Sequence, residues 1–398
     1  MRRILPSGVP SAAELRALRA ALEARWAERC AAFLPEKHAD LFWRYSREDR
    51  ADDPEQGWKL HVSATVLTAG RVLEAAAPLL LGRGVLFKAP ASLDELDKLN
   101  SGLYYGYSQV GKFLTVYPRT DAEAELLARS LHRLTRGLTA PCVPFDLRYR
   151  PGSCVYYRYG AFKNIELRRA DGSRAFAVRD PNGLLVPDLR DSAACPSWAR
   201  DPFPPKRPAR MKSELSSPLK STFRAFRALA QRGKGGVYQA LDLSTRPPRL
   251  CVLKEGRRDG EIDWAGRDGS WRVRHEGRVL KALRESGIDV PQVYSEFEAD
   301  RNYYLVVELV EGTNLEALLA RRRRRLPLER CLRYSAALAS LLARIHGAGW
   351  VWRDCKPRNI IVTTDGRLRP LDFEGSCPVD EPDPLPWGTP SYTPPEWG

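Results

Sequence analysis

Hydrophobic and polar positions divide the chain into blocks of different period. Ser11-Ala12-Ala13-Glu14, following Pro10, has the spacing of a capping box and predicts a helix running to about Leu34. Between Trp58 and Pro118 short β-rich runs alternate with helical ones, among them His61-Val62-Ser63-Ala64-Thr65-Val66, Gly84-Val85-Leu86-Phe87-Lys88 and Lys112-Phe113-Leu114-Thr115-Val116-Tyr117. Asp121 to Arg136 reads as an amphipathic helix and Val155 to Tyr159 as a further strand. These elements predict an α+β domain over residues 1–180. Residues 181–218 hold eight of the 31 prolines, in pieces such as Pro202-Phe203-Pro204-Pro205, which predicts a linker reaching to residue 222. From Phe223 the order is strand, glycine turn, strand, strand, helix, strands and helix, a second α+β unit over residues 223–398.

Composition narrows the class. Hydrophobic content of 43% and charged content of 28% exclude a disordered chain. No apolar run is long enough to span a bilayer, and Met1 to Pro10 lacks the apolar stretch of a signal peptide, so no membrane partner and a cytoplasmic location are expected. None of the eight cysteines forms a C-x-x-C pair, which speaks against a zinc or disulfide framework. A formal charge of +15 points to anionic partners such as nucleotides or acidic and phosphorylated peptides; no nucleic-acid motif accompanies it. The one dense basic run, Arg321 to Arg325, reads as a solvated loop, with docking of an acidic peptide as the alternative.

Candidate chemistry is densest after Phe223. Gln231-Arg232-Gly233-Lys234-Gly235-Gly236-Val237-Tyr238 is a glycine-rich turn between strands, where Gly233, Gly235 and Gly236 would let backbone amides approach phosphate oxygens. Lys254 ends the strand Leu250-Cys251-Val252-Leu253-Lys254, and Glu276 on the next helix is its natural counter-charge. Arg353-Asp354-Cys355-Lys356-Pro357-Arg358-Asn359 has R-D-x-x-x-x-N spacing, with Leu371-Asp372-Phe373-Glu374 following. Glu308-Leu309-Val310-Glu311-Gly312 falls between, and Gly388 to Glu396 comes last. In this order the motifs resemble a protein kinase. The resemblance implies a bilobal fold that transfers phosphate from ATP or GTP with Mg2+. Lys254, Glu276, the three glycines and the hinge residues Glu308 and Val310 would hold the nucleotide. Asp354 would accept the hydroxyl proton, Lys356 neutralise the moving phosphate, and Asn359 and Asp372 hold the metal. Trp352 stands where kinases usually carry histidine, and Glu374 replaces the glycine after Asp-Phe, which stiffens that segment. The sequence ends where kinase second lobes normally continue; either a separate chain completing that lobe or a truncated product of weak activity is expected.

In the first half, Lys59 and His61 lie two apart in a predicted strand and so emerge on one face. Lys88, Lys112, Arg148 and Arg158 each sit on or beside a β-like run, as though several cations converge on one phosphate. Such convergence also lowers the pKa of a nearby lysine, which suits β-elimination with Lys59 as base and His61 as acid. Gly57 to Thr65, Gly111 to Pro118 and Val155 to Phe162 resemble phosphothreonine lyases and, more closely, the lyase domain of class III lanthionine synthetases, in which a kinase follows the lyase. Val252-Leu253-Lys254-Glu255, Arg274-His275-Glu276 and Asp372-Phe373-Glu374 also fit that family. The resemblance implies a precursor peptide with a leader, phosphorylated on serine or threonine and then dehydrated. The family would add a C-terminal cyclase, which is not expected within these residues, so ring closure would need another protein or would not occur. Two alternatives stay open: a serine/threonine kinase whose first domain merely binds phosphopeptide, and an inactive remnant.

Overall fold

The computed structural model describes residues 11–193, 195–203, 218–320, 326–381 and 387–393. The basic run Arg321 to Arg325, the segment before Ser11 and residues 394–398, which hold the last part of the Gly388 to Glu396 stretch, lie outside the described residues.

The chain opens on α1 (Ala12–Phe33), with both halves of the predicted capping box formed: Ser11 Oγ accepts from the Glu14 amide at 3.2 Å and the Glu14 carboxylate accepts from the Ser11 amide at 2.8 Å. A six-stranded antiparallel sheet follows. It is built of β1 (Trp43–Tyr45), β2 (Gln56–Val62), β3 (Leu86–Pro90), β4 (Leu114–Tyr117), β5 (Leu147–Arg148) and β6 (Val155–Ala161), in the order β1-β3-β4-β2-β6-β5. The helices α2 (Ala69–Gly82), α3 (Leu93–Ser101) and α4 (Asp121–Leu134) connect the strands.

The period-2 alternation sorts the two faces of this sheet. Leu60, Val62, Phe87, Leu114, Val116, Val155 and Tyr157 form one core with Leu73, Ala77, Leu127 and Leu131 of the helices. The residues between them face the other way. The strand register places Tyr45, Lys88, Thr115, His61, Tyr156 and Arg148 in a single row across all six strands, with Lys59 opposite Arg158 one step along. One face is therefore a hydrophobic core and the other a line of cations and hydroxyls.

The proline-rich stretch departs from the expected linker. β7 (Glu166–Arg168), β8 (Arg174–Arg179) and β9 (Leu185–Pro187) form a small antiparallel sheet, so chain beyond residue 180 is still part of a folded unit. Asp188 binds Arg158, Asp201 accepts from Tyr157 Oη at 3.0 Å, and the Phe203 ring lies 3.8 Å from the Tyr157 ring, tilted by 33°. Proline content signals irregular backbone, and here that backbone is packed against the domain. Residues 204–217 lie outside the described residues.

After the short α5 (Pro218–Ser221) comes a five-stranded antiparallel sheet: β10 (Phe223–Arg232), β11 (Gly235–Asp242), β12 (Arg249–Gly256), β13 (Val293–Ala299) and β14 (Asn302–Glu308), in the order β10-β11-β12-β14-β13. Against it lies α6 (Gly269–Glu285), whose Val279, Leu280 and Leu283 share a core with Leu305 and Val307. A second lobe holds α7 (Leu315–Ala320), α8 (Leu328–Gly347) and the short strands β15 (Thr313–Asn314), β16 (Trp350–Val351), β17 (Ile360–Val362), β18 (Leu368–Pro370) and β19 (Cys377–Pro378). Among the described residues no helix is long and apolar enough to cross a membrane.

Candidate active sites

Two cavities carry the chemistry. The first, about 230 Å3, opens on the cationic face of the six-stranded sheet and is lined by Lys59, His61, Lys88, Lys112, Thr115, Arg158 and Arg190, among others. Lys59 is 8% exposed and His61 3%, since they lie in the middle strand of the sheet. Burial pushes the Lys59 ammonium well below its ordinary value, and Arg158 adds to the effect. Its amine donates to the Ala161 carbonyl. His61 Nδ1 lies 2.5 Å from the Asp146 carboxylate, which also pairs with Lys112 at 3.4 Å. Burial lowers the imidazole to about 4 against the pull of Asp146, so the ring is neutral at pH 7 with Nδ1–H donating to the carboxylate. Burial would raise Asp146, but the His61 contact and Lys112 outweigh it and hold it at about 2. Lys88 is brought to about 8, mainly by burial, and its ammonium lies 4.1 Å from the Trp43 ring.

Five of the six residues read from the sequence thus meet at one cavity: Lys59, His61, Lys88, Lys112 and Arg158. Arg148 does not. It lies in the same row as His61 but two strands away, about 10 Å, and Tyr156 stands between them. Its guanidinium lies 5.0 Å from that ring and donates to Cys142 Sγ at 2.8 Å. Arg190 and Asp146 were missed. Arg190 comes from the stretch expected as linker, and Asp146 from a loop remote in sequence from His61.

The depressed His61 imidazole ties the stability of the first domain to pH. His61 has a lower pKa folded than unfolded, so the unfolded chain binds the extra proton as pH falls. Its contribution is complete above the ordinary value of 6.5 and is lost as pH drops through about 4. Thermal unfolding followed from pH 7.5 to 4.5 should show the first domain weakening by up to roughly 3 kcal/mol, and a His61→Gln variant should show a flatter profile.

The second cavity, about 360 Å3, lies between the two lobes of the second half. Lys254 donates to both carboxylate oxygens of Glu276 at 2.6 and 2.7 Å, and the Phe373 amide donates to the same carboxylate at 3.2 Å. Asp354 is held on three sides. Lys356 donates to it at 2.7 Å, Asn359 donates to its carboxylate and its carbonyl at 2.9 Å, and Thr389 donates to its other oxygen at 2.9 Å. Burial would raise the Asp372 carboxyl, but Lys254, Lys234 and Lys356 outweigh it and lower it, so it is ionised. Its backbone is left-handed, at φ 65°, and Trp352 Nε1–H braces its carbonyl at 3.1 Å while stacking on Phe373. The tryptophan that departs from the usual histidine keeps a ring N–H at this place.

Gly235 and Gly236 line this cavity, and so do Lys254, Glu276, Asp354, Lys356, Asn359 and Asp372. Gly233 does not, because its amide donates to the Ser101 carbonyl of the first half at 3.0 Å. Glu308 and Val310 do not line it either; the Glu308 carboxylate is bound by Arg369 Nη2 at 2.9 Å and by the Gln292 amide at 3.1 Å. Two features were not read from the sequence. Lys234 at the hairpin tip pairs with Glu374, and Thr389 closes over Asp354.

A buried lysine–glutamate pair, an ionised aspartate in a braced turn and a catalytic-loop aspartate together define the cleft of a protein kinase. Its neighbour in the chain is a separate domain with a cationic pocket. A family model described as protein kinase domain matches residues 228–397, and one described as RamC, N-terminal domain, matches residues 25–214. The chain is a RamC N-terminal domain followed by a protein kinase domain, and the resemblance to class III lanthionine synthetases is borne out in both parts. It is similar to the probable SapB synthase of Streptomyces coelicolor, 34% identical over 87% of this chain and 38% of that protein. The kinase half is similar to serine/threonine-protein kinase PknA of Mycobacterium tuberculosis, 32% identical over 43% of this chain and 39% of the relative. Serine/threonine-protein kinase F of Synechocystis is 29% identical over 36% and 31%. The chain thus spans about two fifths of the length of the first two of these relatives.

Proposed function

We propose that this protein phosphorylates serine or threonine in a precursor peptide bearing a leader, then eliminates the phosphate to leave dehydroalanine or dehydrobutyrine. The observation that carries the reading is the first cavity: a buried amine, Lys59, beside a histidine–aspartate pair, ringed by Lys88, Lys112, Arg158 and Arg190. An isolated phosphopeptide-binding site has no need of a lysine whose charge burial disfavours.

In the kinase cleft, ATP or GTP would set its phosphates against Lys254 and the Gly235–Gly236 amides. Asp372 and Asn359 offer the hard oxygen donors that suit Mg2+, which when bound would offset charge on the phosphates. Asp354 accepts the proton of the substrate hydroxyl, while Lys356 neutralises charge on the phosphoryl group in flight.

In the lyase pocket the phosphate sits among the cations. Lys59, in the neutral form that burial favours, takes the Cα proton; the Cα–H electron pair forms the Cα=Cβ bond, and the Cβ–O bond breaks as phosphate leaves. Lys59's hydrogen bond to Ala161 orients the amine and leaves its lone pair free. His61 delivers a proton to the departing oxygen. It is neutral in the empty pocket, and the arriving phosphate dianion offsets Lys112 and so favours the imidazolium. Asp146 anchors that cation. The cavity of about 550 Å3 alongside, which shares Lys88, Tyr117 and Phe162 with this pocket, would take the residues flanking the phosphorylated one.

The alternative, a kinase whose first domain only binds phosphopeptide, is favoured by the neutrality of His61 in the empty site. One experiment separates them. A phosphoserine peptide incubated with the protein in the absence of nucleotide should lose phosphate; recovery of intact phosphopeptide would support binding alone.

Trp352 offers a finer test of the kinase cleft. Trp352→Phe keeps the stack on Phe373 and removes the hydrogen bond to Asp372, a loss of about 0.5–1.5 kcal/mol. Phosphoryl transfer should slow by roughly 2- to 10-fold, and Trp352→His, which restores a ring N–H, should recover part of the rate. Equal rates in all three would show that the brace has no part in catalysis.

A further inference from the structure

The tip of the kinase glycine hairpin is built into the first domain. Besides the Gly233 bond to Ser101, the Asn100 carbonyl lies so near that a Cβ on Gly233 would meet it at 1.7 Å. Asn100 and Ser101 close the last turn of α3. The Asn100 side chain, 3% exposed, belongs to the lyase side: its nitrogen donates to the Ala64 carbonyl at 3.0 Å and its oxygen accepts from the Gly111 amide at 3.1 Å. Ala64 lies two residues beyond the strand of Lys59 and His61, and Gly111 immediately precedes Lys112. One asparagine therefore touches the phosphate hairpin through its backbone and the lyase loop through its side chain.

A second line of contact runs beside the first. Arg257 donates to the Arg232 carbonyl at 2.8 Å, next to the hairpin tip, and its guanidinium lies 5.0 Å from the Tyr107 ring. Tyr107 meets Phe145 edge-on at 5.8 Å. Phe145 is held in the left-handed region, at φ 61°, and directly precedes Asp146, the partner of both His61 and Lys112. The hairpin tip itself has two alternative partners. Lys234 pairs with Glu374 inside the kinase cavity, where nucleotide phosphates would compete for the ammonium and a bound metal for the carboxylate.

We infer that these contacts couple the two active sites, so that nucleotide in the kinase cleft changes the affinity of the lyase pocket for phosphate, through the Asn100–Ser101 turn and the Tyr107–Phe145 contact. Glycine is required at position 233 by the approach of Asn100, and its backbone lies outside the left-handed region, so alanine there tests the contact alone. Coupling between sites is a difference of binding free energies that both ligands feel equally. Asn100 is a positioning residue for both sites and touches neither reacting group. The inference rests on the first cavity being a phosphate pocket.

The test uses the full chain and two probes, inorganic phosphate and magnesium ADP. Phosphate is titrated by calorimetry with and without saturating ADP, on the parent, Gly233→Ala, Arg257→Ala and Lys88→Met. The parent should show phosphate affinity changed about fivefold or more by ADP. Gly233→Ala should bind phosphate as the parent does without ADP and show no change on adding it, and Arg257→Ala should show a reduced change. Parent affinity indifferent to ADP, or the same shift in Gly233→Ala as in the parent, would overturn the coupling. Should Gly233→Ala fail to fold, an undiminished shift in Arg257→Ala would overturn it equally. Phosphate binding that is absent, or untouched by Lys88→Met, would instead overturn the phosphate-pocket reading and the coupling with it.

Discussion

Replacing Lys59 by methionine is expected to slow phosphate elimination from a pre-phosphorylated peptide by roughly 10²- to 10⁴-fold, the usual worth of a general base, while raising the melting temperature. The two effects have one cause. Lys59 sits in the middle strand of the sheet, 8% exposed, with Arg158 opposite, and burial drives its ammonium towards the neutral form. The unfolded chain keeps that lysine protonated at neutral pH, so the folded state forgoes the favourable hydration of a charge. Methionine fills a similar volume without that cost. Stability gained as activity is lost is the signature of a group held in an unfavourable state for its chemistry. A variant that loses elimination and also melts earlier would mean that Lys59 is a structural cation. Elimination rate by mass spectrometry and unfolding by calorimetry, on the same preparation, decide between them.

The second large effect lies in the other domain. Asp354→Asn keeps the shape of a side chain bound by Lys356, Asn359 and Thr389 but removes the acceptor for the substrate proton. Phosphoryl transfer to a hydroxyl peptide should fall by roughly 10²- to 10⁴-fold. Elimination from a peptide supplied already phosphorylated, without nucleotide, should proceed at the parent rate. Loss of both activities would indicate that the substitution disturbs the docking of the two domains. Loss of neither would remove Asp354 from the reaction.

Much of this was legible in the sequence because it is local or periodic. The capping box at Ser11 and Glu14 is a four-residue motif and forms as read. Lys59 and His61 share a face because side chains in a strand alternate, and the kinase motifs keep their spacing because each sits on one turn or strand. What failed was non-local. Arg148 looked equivalent to the other cations, yet its place in the row is set by a two-residue strand pairing beyond Tyr156. Asp146 and Arg190 reach the pocket from loops whose return to the sheet no periodicity announces. The prolines after residue 180 suggested a linker, whereas Phe203 and Asp188 pack on opposite faces of the first sheet. Lys234 belongs to the same class: its partner Glu374 is 140 residues away.

These misreadings change the chemistry as well as the map. With Arg190 replacing Arg148, the cations at the pocket still include two arginines, but one of them now hangs on Asp188, which also holds Arg158. The stretch after residue 180 thus supplies one of the cations that line the pocket.

The central claim is that the first domain breaks a carbon–oxygen bond, and one measurement addresses it most directly. Synthetic phosphoserine and phosphothreonine peptides are incubated with the protein without nucleotide or metal, and the products are weighed by mass spectrometry. The expected result is release of inorganic phosphate, with the modified residue lighter than serine or threonine by the mass of one water and no such product from Lys59→Met. Phosphopeptides returned intact, or hydrolysed to the original hydroxyl residue, would contradict it.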